Sequence, residues 1–187
     1  FYTGSFPANR GGALSSVMDI TLKDGNPDKQ AFKATIGASE VGVSASGHIG
    51  GKTTYIASVR QSYLQLLFKL LGLPMLPNYI DGQVKFKTKI DSANELVFIG
   101  LAGFDNMKLS DDPDDAADRY LLSYLPTLRQ ETFTVGTSYR HFGDGHVQTV
   151  SLGYSYLNNR SLKYLDNDES SEGNIILESS GLEGKGQ

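Results

Sequence analysis

Residues 79–90 read Tyr79-Ile80-Asp81-Gly82-Gln83-Val84-Lys85-Phe86-Lys87-Thr88-Lys89-Ile90, and their alternation decides the fold class. Ile80, Gly82, Val84, Phe86, Thr88 and Ile90 fall on one side of an extended chain, and Tyr79, Asp81, Gln83, Lys85, Lys87 and Lys89 on the other. Successive side chains of a strand point to opposite faces, so a period of two held over twelve residues specifies a long β-strand with one apolar and one charged face.

The same pattern recurs outward in both directions. In 53–63, Tyr55, Ala57, Val59 and Tyr63 oppose Thr54, Ser58, Arg60 and Ser62, with Ile56 out of phase. In 131–142, Phe133, Val135 and Tyr139 oppose Thr132, Thr134, Ser138 and Arg140, and 146–157 puts Val150, Leu152, Tyr154 and Tyr156 on one side. The stretch 41–50 alternates with small residues. By contrast, 95–106 is apolar on both sides in its middle (Leu96, Val97, Phe98, Ile99, Leu101), so its orientation stays open. With 31–38 and 174–187 the strands number about eight. Several run ten to twelve residues, beyond the roughly five or six usual in globular sheets and close to the roughly 9–11 that a tilted strand needs to cross a bilayer.

The connections are sorted by length. Gly51-Lys52, Asp91-Ser92-Ala93-Asn94 and Gly143-Asp144-Gly145 read as tight turns, while 64–78, 107–130 and 158–173 are long. Short turns at one end and long loops at the other are the layout of outer-membrane barrels. A soluble sandwich alternates apolar and polar residues equally well but has less reason to sort its loops this way.

Composition excludes several alternatives. Net charge is −4 with a pI near 5.3, so no basic surface for nucleic acid is expected. The chain has no Cys, which removes disulfides, thiolate zinc sites and Cys nucleophiles. The most apolar stretch, 64–77, is broken by Lys69, Gly72 and Pro74, far short of the roughly 20 residues a helical span requires. A mean hydropathy of −0.27 resembles that of a soluble protein, but barrel strands escape such averages because polar lumen residues alternate with apolar ones. The chain begins at Phe1 without a start Met or signal peptide and stops at Gln187 within a strand pattern; both ends read as truncations.

The opening departs from the barrel pattern: Arg10-Gly11-Gly12-Ala13-Leu14-Ser15-Ser16-Val17-Met18-Asp19-Ile20-Thr21-Leu22. Gly11-Gly12 permits a positive-φ turn, 17–22 reads as a short strand, and 23–30 as a charged, Pro-containing linker. This segment resembles the end of the plug domain of TonB-dependent outer-membrane transporters, in the SusC-like or a related branch. Arg60-Gln61-Ser62-Tyr63, Tyr79-Ile80-Asp81-Gly82-Gln83-Val84-Lys85 and Gly103-Phe104-Asp105-Asn106 resemble the early barrel strands of that family, in the same order.

The resemblance implies a plug-junction motif at Arg10, Gly11, Gly12, Ser15, Ser16 and Asp19. It also implies partners: outer-membrane lipid, the TonB complex through a preceding segment, a possible surface lipoprotein, and an imported nutrient (glycan, peptide or metal chelate). No cofactor is expected. The expected fold is all-β, an antiparallel meander of about eight long strands forming part of a transmembrane β-barrel in the bacterial outer membrane, preceded by the last plug strand. Residues 1–29 would be the C-terminal end of the plug with its linker, and 30–187 the N-terminal barrel strands. The alternative function is a non-transporting β-sheet surface or adhesion protein that binds partners through its long loops.

Four further features carry candidate chemistry. Arg60, Asp81, Lys85 and Asp105 share the polar parity and form a candidate lumen-facing charge network; hairpin folding puts Arg60 within a couple of residues of Asp81, an arrangement that also suits a static ion pair. Asp111, Asp112, Asp114, Asp115 and Asp118 could hold Ca²⁺, although the run lacks the Gly of an EF-hand loop and also reads as a solvated loop. The leucines of 64–76 suit a short helix that folds over the barrel mouth or docks a partner, or one that neighbouring loops cover. His48, His141 and His146 are the only histidines and come with no nucleophile elbow or metal-binding pair, so no enzyme activity is expected. The Tyr and Phe residues near strand ends (Tyr55, Tyr63, Tyr79, Phe104, Tyr139, Phe142 and Tyr156) suit interfacial girdles, and in a soluble sheet they would be core or cross-strand pairs.

Overall fold

The computed structural model describes residues 16–110, 116–170 and 172–186. Eight strands follow one another in an antiparallel meander: β1 (Ala31–Ile36), β2 (Glu40–Ile49), β3 (Thr53–Ser62), β4 (Met75–Lys89), β5 (Asn94–Leu109), β6 (Thr127–Gly143), β7 (His146–Tyr164) and β8 (Ile175–Gly186). Spatial order equals sequence order, and β1 and β8 form the two open edges, so the sheet is not closed. Helix α1 (Leu64–Leu70) lies in the β3–β4 connection and α2 (Ala116–Tyr124) in the β5–β6 connection.

Turn chemistry sets the register at the short-turn end. Gly50 and Gly145 adopt φ of +61° and +74°, conformations that cost a side chain-bearing residue strain. Asp91 closes its turn by accepting from the Ala93 N–H and the Asn94 amide, each at 2.8 Å. Strands β4 to β7 run on past these anchors to 15, 16, 17 and 19 residues. They extend beyond the expected boundaries mainly at the long-connection end, where Asn106 still pairs with Arg129 and Arg129 with Arg160.

Directly opposed residues of an antiparallel pair share a face, so the register sorts every side chain. One face carries Val59, Gly82, Ala102, Phe133 and Tyr156 as a continuous row. Below it, Tyr55, Phe86 and Phe98 form an aromatic ladder with ring centroids 6.5 and 6.4 Å apart. Phe133 stacks on Tyr156 at 4.8 Å. The other face carries Arg60, Asp81, Gln83, Lys85 and Lys87, joined across strands by hydroxyl pairs such as Thr134–Ser155 at 3.0 Å and Ser138–Ser151 at 2.9 Å. The ambiguous strand β5 resolves accordingly: Leu96, Phe98 and Phe104 join the apolar face, and Val97, Ile99 and Leu101 lie on the polar one. Tyr79 also turns to the polar face, where its hydroxyl donates to Glu40 Oε2 at 2.9 Å. Phe142 shares the parity of Arg140. Neither aromatic belongs to a girdle on the apolar side.

The apolar face is bounded above and below. On β5 to β7 its rows end at Asn106–Arg129–Arg160 on the long-connection side and at Asn94–His141–Gln148 on the turn side. Nothing among the described residues covers the band between them: Phe32 is 79% exposed, Val43 63% and Leu152 64%. The buried apolar residues, Leu109, Leu122, Leu162 and Tyr164, all sit where α2 packs at the far end of β5 and β7. There Lys163 Nζ donates to the Leu122 and Leu125 carbonyls at 2.7 and 3.1 Å, satisfying acceptors at the C-terminal end of α2.

The expected short strand at 17–22 does not form: Val17 makes an isolated bridge and 18–26 is irregular. A strand persists only where a neighbour takes its backbone groups. Here the segment crosses the sheet through Lys85, whose Nζ donates to the Leu22 carbonyl at 2.7 Å.

Candidate functional site

The polar face holds two separate charge clusters, and the linker before β1 lies against one of them. The first is near the long-connection end. Arg60 on β3 stands directly opposite Asp81 on β4 and contacts it at two points, Nη2–Oδ2 at 3.0 Å and Nε–Oδ1 at 3.1 Å. Such a fork fixes orientation as well as charge. Glu40 Oε2 lies 3.6 Å from Arg60 Nη1 while accepting from the Tyr79 hydroxyl, so three strands meet at the guanidinium.

The second cluster is near the short turns and is organised by Asp24 of the linker. Its carboxylate meets Lys85 Nζ at 2.7 Å and Lys87 Nζ at 2.8 Å. Lys87 also reaches Glu95 on β5 at 3.3 Å, and Glu95 reaches Arg140 on β6 at 3.6 Å. Burial of Asp24 acts to raise its pKa, but the hydrogen bonds and positive charges of Lys85 and Lys87 outweigh this and hold the carboxyl below its ordinary value. Lys85 and Glu95 are only 8% and 7% exposed. Glu95 Oε1 is enclosed with no hydrogen-bond partner and faces Arg140 Nη1 at 3.6 Å, while Lys87 takes Oε2.

The linker fits closely against the sheet. Gly25 is buried against β3, and a Cβ there would stand 2.2 Å from the Tyr55 carbonyl oxygen. The Asn26 N–H donates to Ser46 Oγ at 3.1 Å, and Gln30 is gripped by the Tyr55 hydroxyl at 2.6 Å. Between this linker and strands β1 to β4 lies a 560 Å³ cavity bordered by Lys33, Glu40, Ser44, Ser58, Arg60 and Gln83. The lining sets these charged, hydroxyl and amide groups beside apolar surface from Val43, Ala45, Ile56 and Ala57.

The four residues expected to form one network are therefore divided. Arg60 and Asp81 pair with each other. Lys85 lies four residues further along β4, about 13 Å away, and pairs with Asp24. Asp105 sits opposite Tyr79 and Gln130 and joins neither cluster, because the residue across from Asp81 is Gly103; a diagonal partner is about 7–8 Å off.

Of the plug-junction motif, Ser16 and Asp19 are exposed; Arg10, Gly11, Gly12 and Ser15 lie outside the described residues. So do Asp111, Asp112, Asp114 and Asp115, whereas Asp118 is in the first turn of α2. Among the described residues no three His, Asp or Glu side chains converge on a metal site. The expected helix in the leucine-rich connection is α1, and Leu70 at 85% exposure is not covered by neighbouring loops.

Asp24, Lys87, Glu95 and Arg140 were not singled out from the sequence. The last three were accessible: the Asp91–Asn94 turn fixes Glu95 opposite Lys89, and Arg140 shares its parity. The position of Asp24 depends on the path of an irregular segment, for which no periodicity exists. Comparison with protein families, with curated proteins and with solved structures yields no match.

Proposed function

We propose that this chain is part of a TonB-dependent outer-membrane transporter, in which β1 to β8 form an arc of the barrel wall and residues before β1 belong to the plug and its linker. The observation that carries this reading is the inverted burial of the sheet. Lys85 and Glu95 are enclosed at 8% and 7% exposure while Phe32 and Leu152 stand at 79% and 64%. In water an uncovered apolar face of this extent is an association or aggregation surface. In a bilayer it is the required exterior, and the charged face becomes the lumen. The apolar band on β5, from Leu96 to Phe104, has the length of one tilted span.

The linker supports the plug assignment because it binds the polar face by ion pairs rather than extending either sheet edge. On this reading the short turns face the periplasm, the long connections and both helices face outward, and the imported nutrient is a glycan, peptide or metal chelate too large or scarce for passive diffusion. Work on the plug would come from the TonB complex, and α1 is where a surface lipoprotein would dock. The open edges at β1 and β8 would pair with further strands, since unpaired backbone is not tolerated in hydrocarbon.

The test is an immunoblot of fractionated source cells. A band several times larger than 20.3 kDa, in the outer-membrane fraction and shifting on heating in detergent, is the expected result. A soluble band of this size would overturn the reading and favour a surface or adhesion module acting through its long loops.

A further inference from the structure

Where the linker passes the β2–β3 turn it roofs a second, smaller cleft of about 320 Å³, bordered by Lys52, Lys87, Lys89, His48 and the Gly50–Gly51 turn. Asp24 is the one carboxylate in the lining, and Glu95 stands behind it, reaching Lys87 at 3.3 Å. A carboxylate already occupies the inner end, because Asp24 Oδ2 accepts from Lys87 Nζ at 2.8 Å. At the outer end Lys89, across the register from Glu95, makes no side-chain hydrogen bond or ion pair among the described residues, and Lys52 spends one donor on the Ile90 carbonyl at 3.0 Å. Gly50 and Gly51 have nothing within 4 Å of their Cβ positions, so bare backbone is open to a close approach.

The geometry points to an anion site that takes a phosphate group, held by Lys52 and Lys89, with Lys87 held back by Asp24 and Glu95. Lysine ammonium groups bind phosphate as mobile point charges, without the planar fork that a carboxylate–arginine pair uses. The cleft is larger than a bare ion requires, which leaves room for the group to which the phosphate is attached. This inference rests on the fold and on the path of the linker, not on the transport reading. The same chemistry is offered by soluble phosphate compounds and by a phospholipid headgroup reaching the strand ends.

The experiment uses the full chain in detergent micelles at low salt, with inorganic phosphate as the first probe and phosphorus NMR as the readout. Saturable binding is expected, with Lys89→Gln and Lys52→Gln each weakening it roughly tenfold, the size of one lost charge-assisted hydrogen bond. Lys69→Gln, on α1 at the opposite end of the sheet, should bind as the parent does. Thr54→Asp, which adds a competing carboxylate to the cleft wall, should abolish binding. The second probe is bicelles containing phosphatidylglycerol, against phosphatidylcholine alone. Binding confined to phosphatidylglycerol, with the same variant pattern, assigns the site to the lipid headgroup. Absence of binding to both probes would overturn the proposal. So would unchanged affinity in the Lys52 and Lys89 variants when circular dichroism shows the sheet intact.

Discussion

Arg60 and Asp81 stand directly opposite each other across β3 and β4, joined by two contacts at 3.0 and 3.1 Å, with Glu40 a third partner at 3.6 Å. The pair is partly solvated, with side-chain exposures of 51% and 31%, so its contribution to stability is small. Arg60→Ala should cost about 0.5–1 kcal/mol, read from the urea midpoint of the detergent-solubilised chain. Arg60→Lys keeps the charge but not the fork and should recover only part of the loss. If the chain is part of a transporter, as proposed, Arg60→Ala in the intact protein should also reduce uptake; full uptake with unchanged stability would leave the pair without a role in import.

The attachment of the linker should depend on pH through Asp24. Its carboxyl titrates below the ordinary 3.8 in the folded chain. A lowered pKa means that the stabilisation is complete above the ordinary value and is lost as pH falls through the lowered one. Hydrogen exchange at the Asn26 amide, which is bonded to Ser46 Oγ, should therefore stay protected from neutral pH down to the ordinary carboxylate range and lose protection only below it. Asp24→Asn should lower protection at neutral pH and remove the acid transition.

Adjacent residues on β6 distinguish a lipid-facing sheet from a soluble one. Val135 lies on the apolar face opposite Tyr154, and Thr134 on the polar face, bonded to Ser155. In a bilayer, Val135→Arg near mid-span should cost about 2–4 kcal/mol of folding free energy, whereas Thr134→Arg should cost far less. Folding into lipid vesicles, followed by the heat-dependent gel shift, measures both. Equal tolerance at the two positions would contradict the membrane assignment.

Close packing of the linker makes a steric prediction. Gly25→Ala places a Cβ 2.2 Å from the Tyr55 carbonyl oxygen and 2.5 Å from its nitrogen, so the linker must move off the sheet. The cost should be roughly 1–3 kcal/mol, as for other overpacked sites, and trypsin should cut faster after Lys23 and Lys29. Gly51→Ala, with open space around its Cβ, should leave the cleavage rate unchanged.

The alternation of 79–90 by itself determined that β4 is a strand with one charged and one apolar face, because a period of two has a single structural meaning. The turn residues Gly51, Asp91 and Gly145 then set the order of the meander and the sorting of short and long connections. Register followed from strand length and turn position, which is why Arg60 could be placed near Asp81 before any coordinates.

Three things needed the tertiary structure. The orientation of β5 was undecided while both of its faces were apolar, and only pairing with β4 and β6 sent Phe98 to one side and Ile99 to the other. Lys85 and Asp105 carried the right parity for a network with Asp81, but parity assigns a face and not a neighbour, and distance along the strand separated them. Asp24 lies in an irregular segment whose path depends on contacts with residues far along the chain, Lys85 and Lys87 among them. Local periodicity reports the direction of a side chain from its own backbone; the partner it meets is a property of chain segments brought together only by folding.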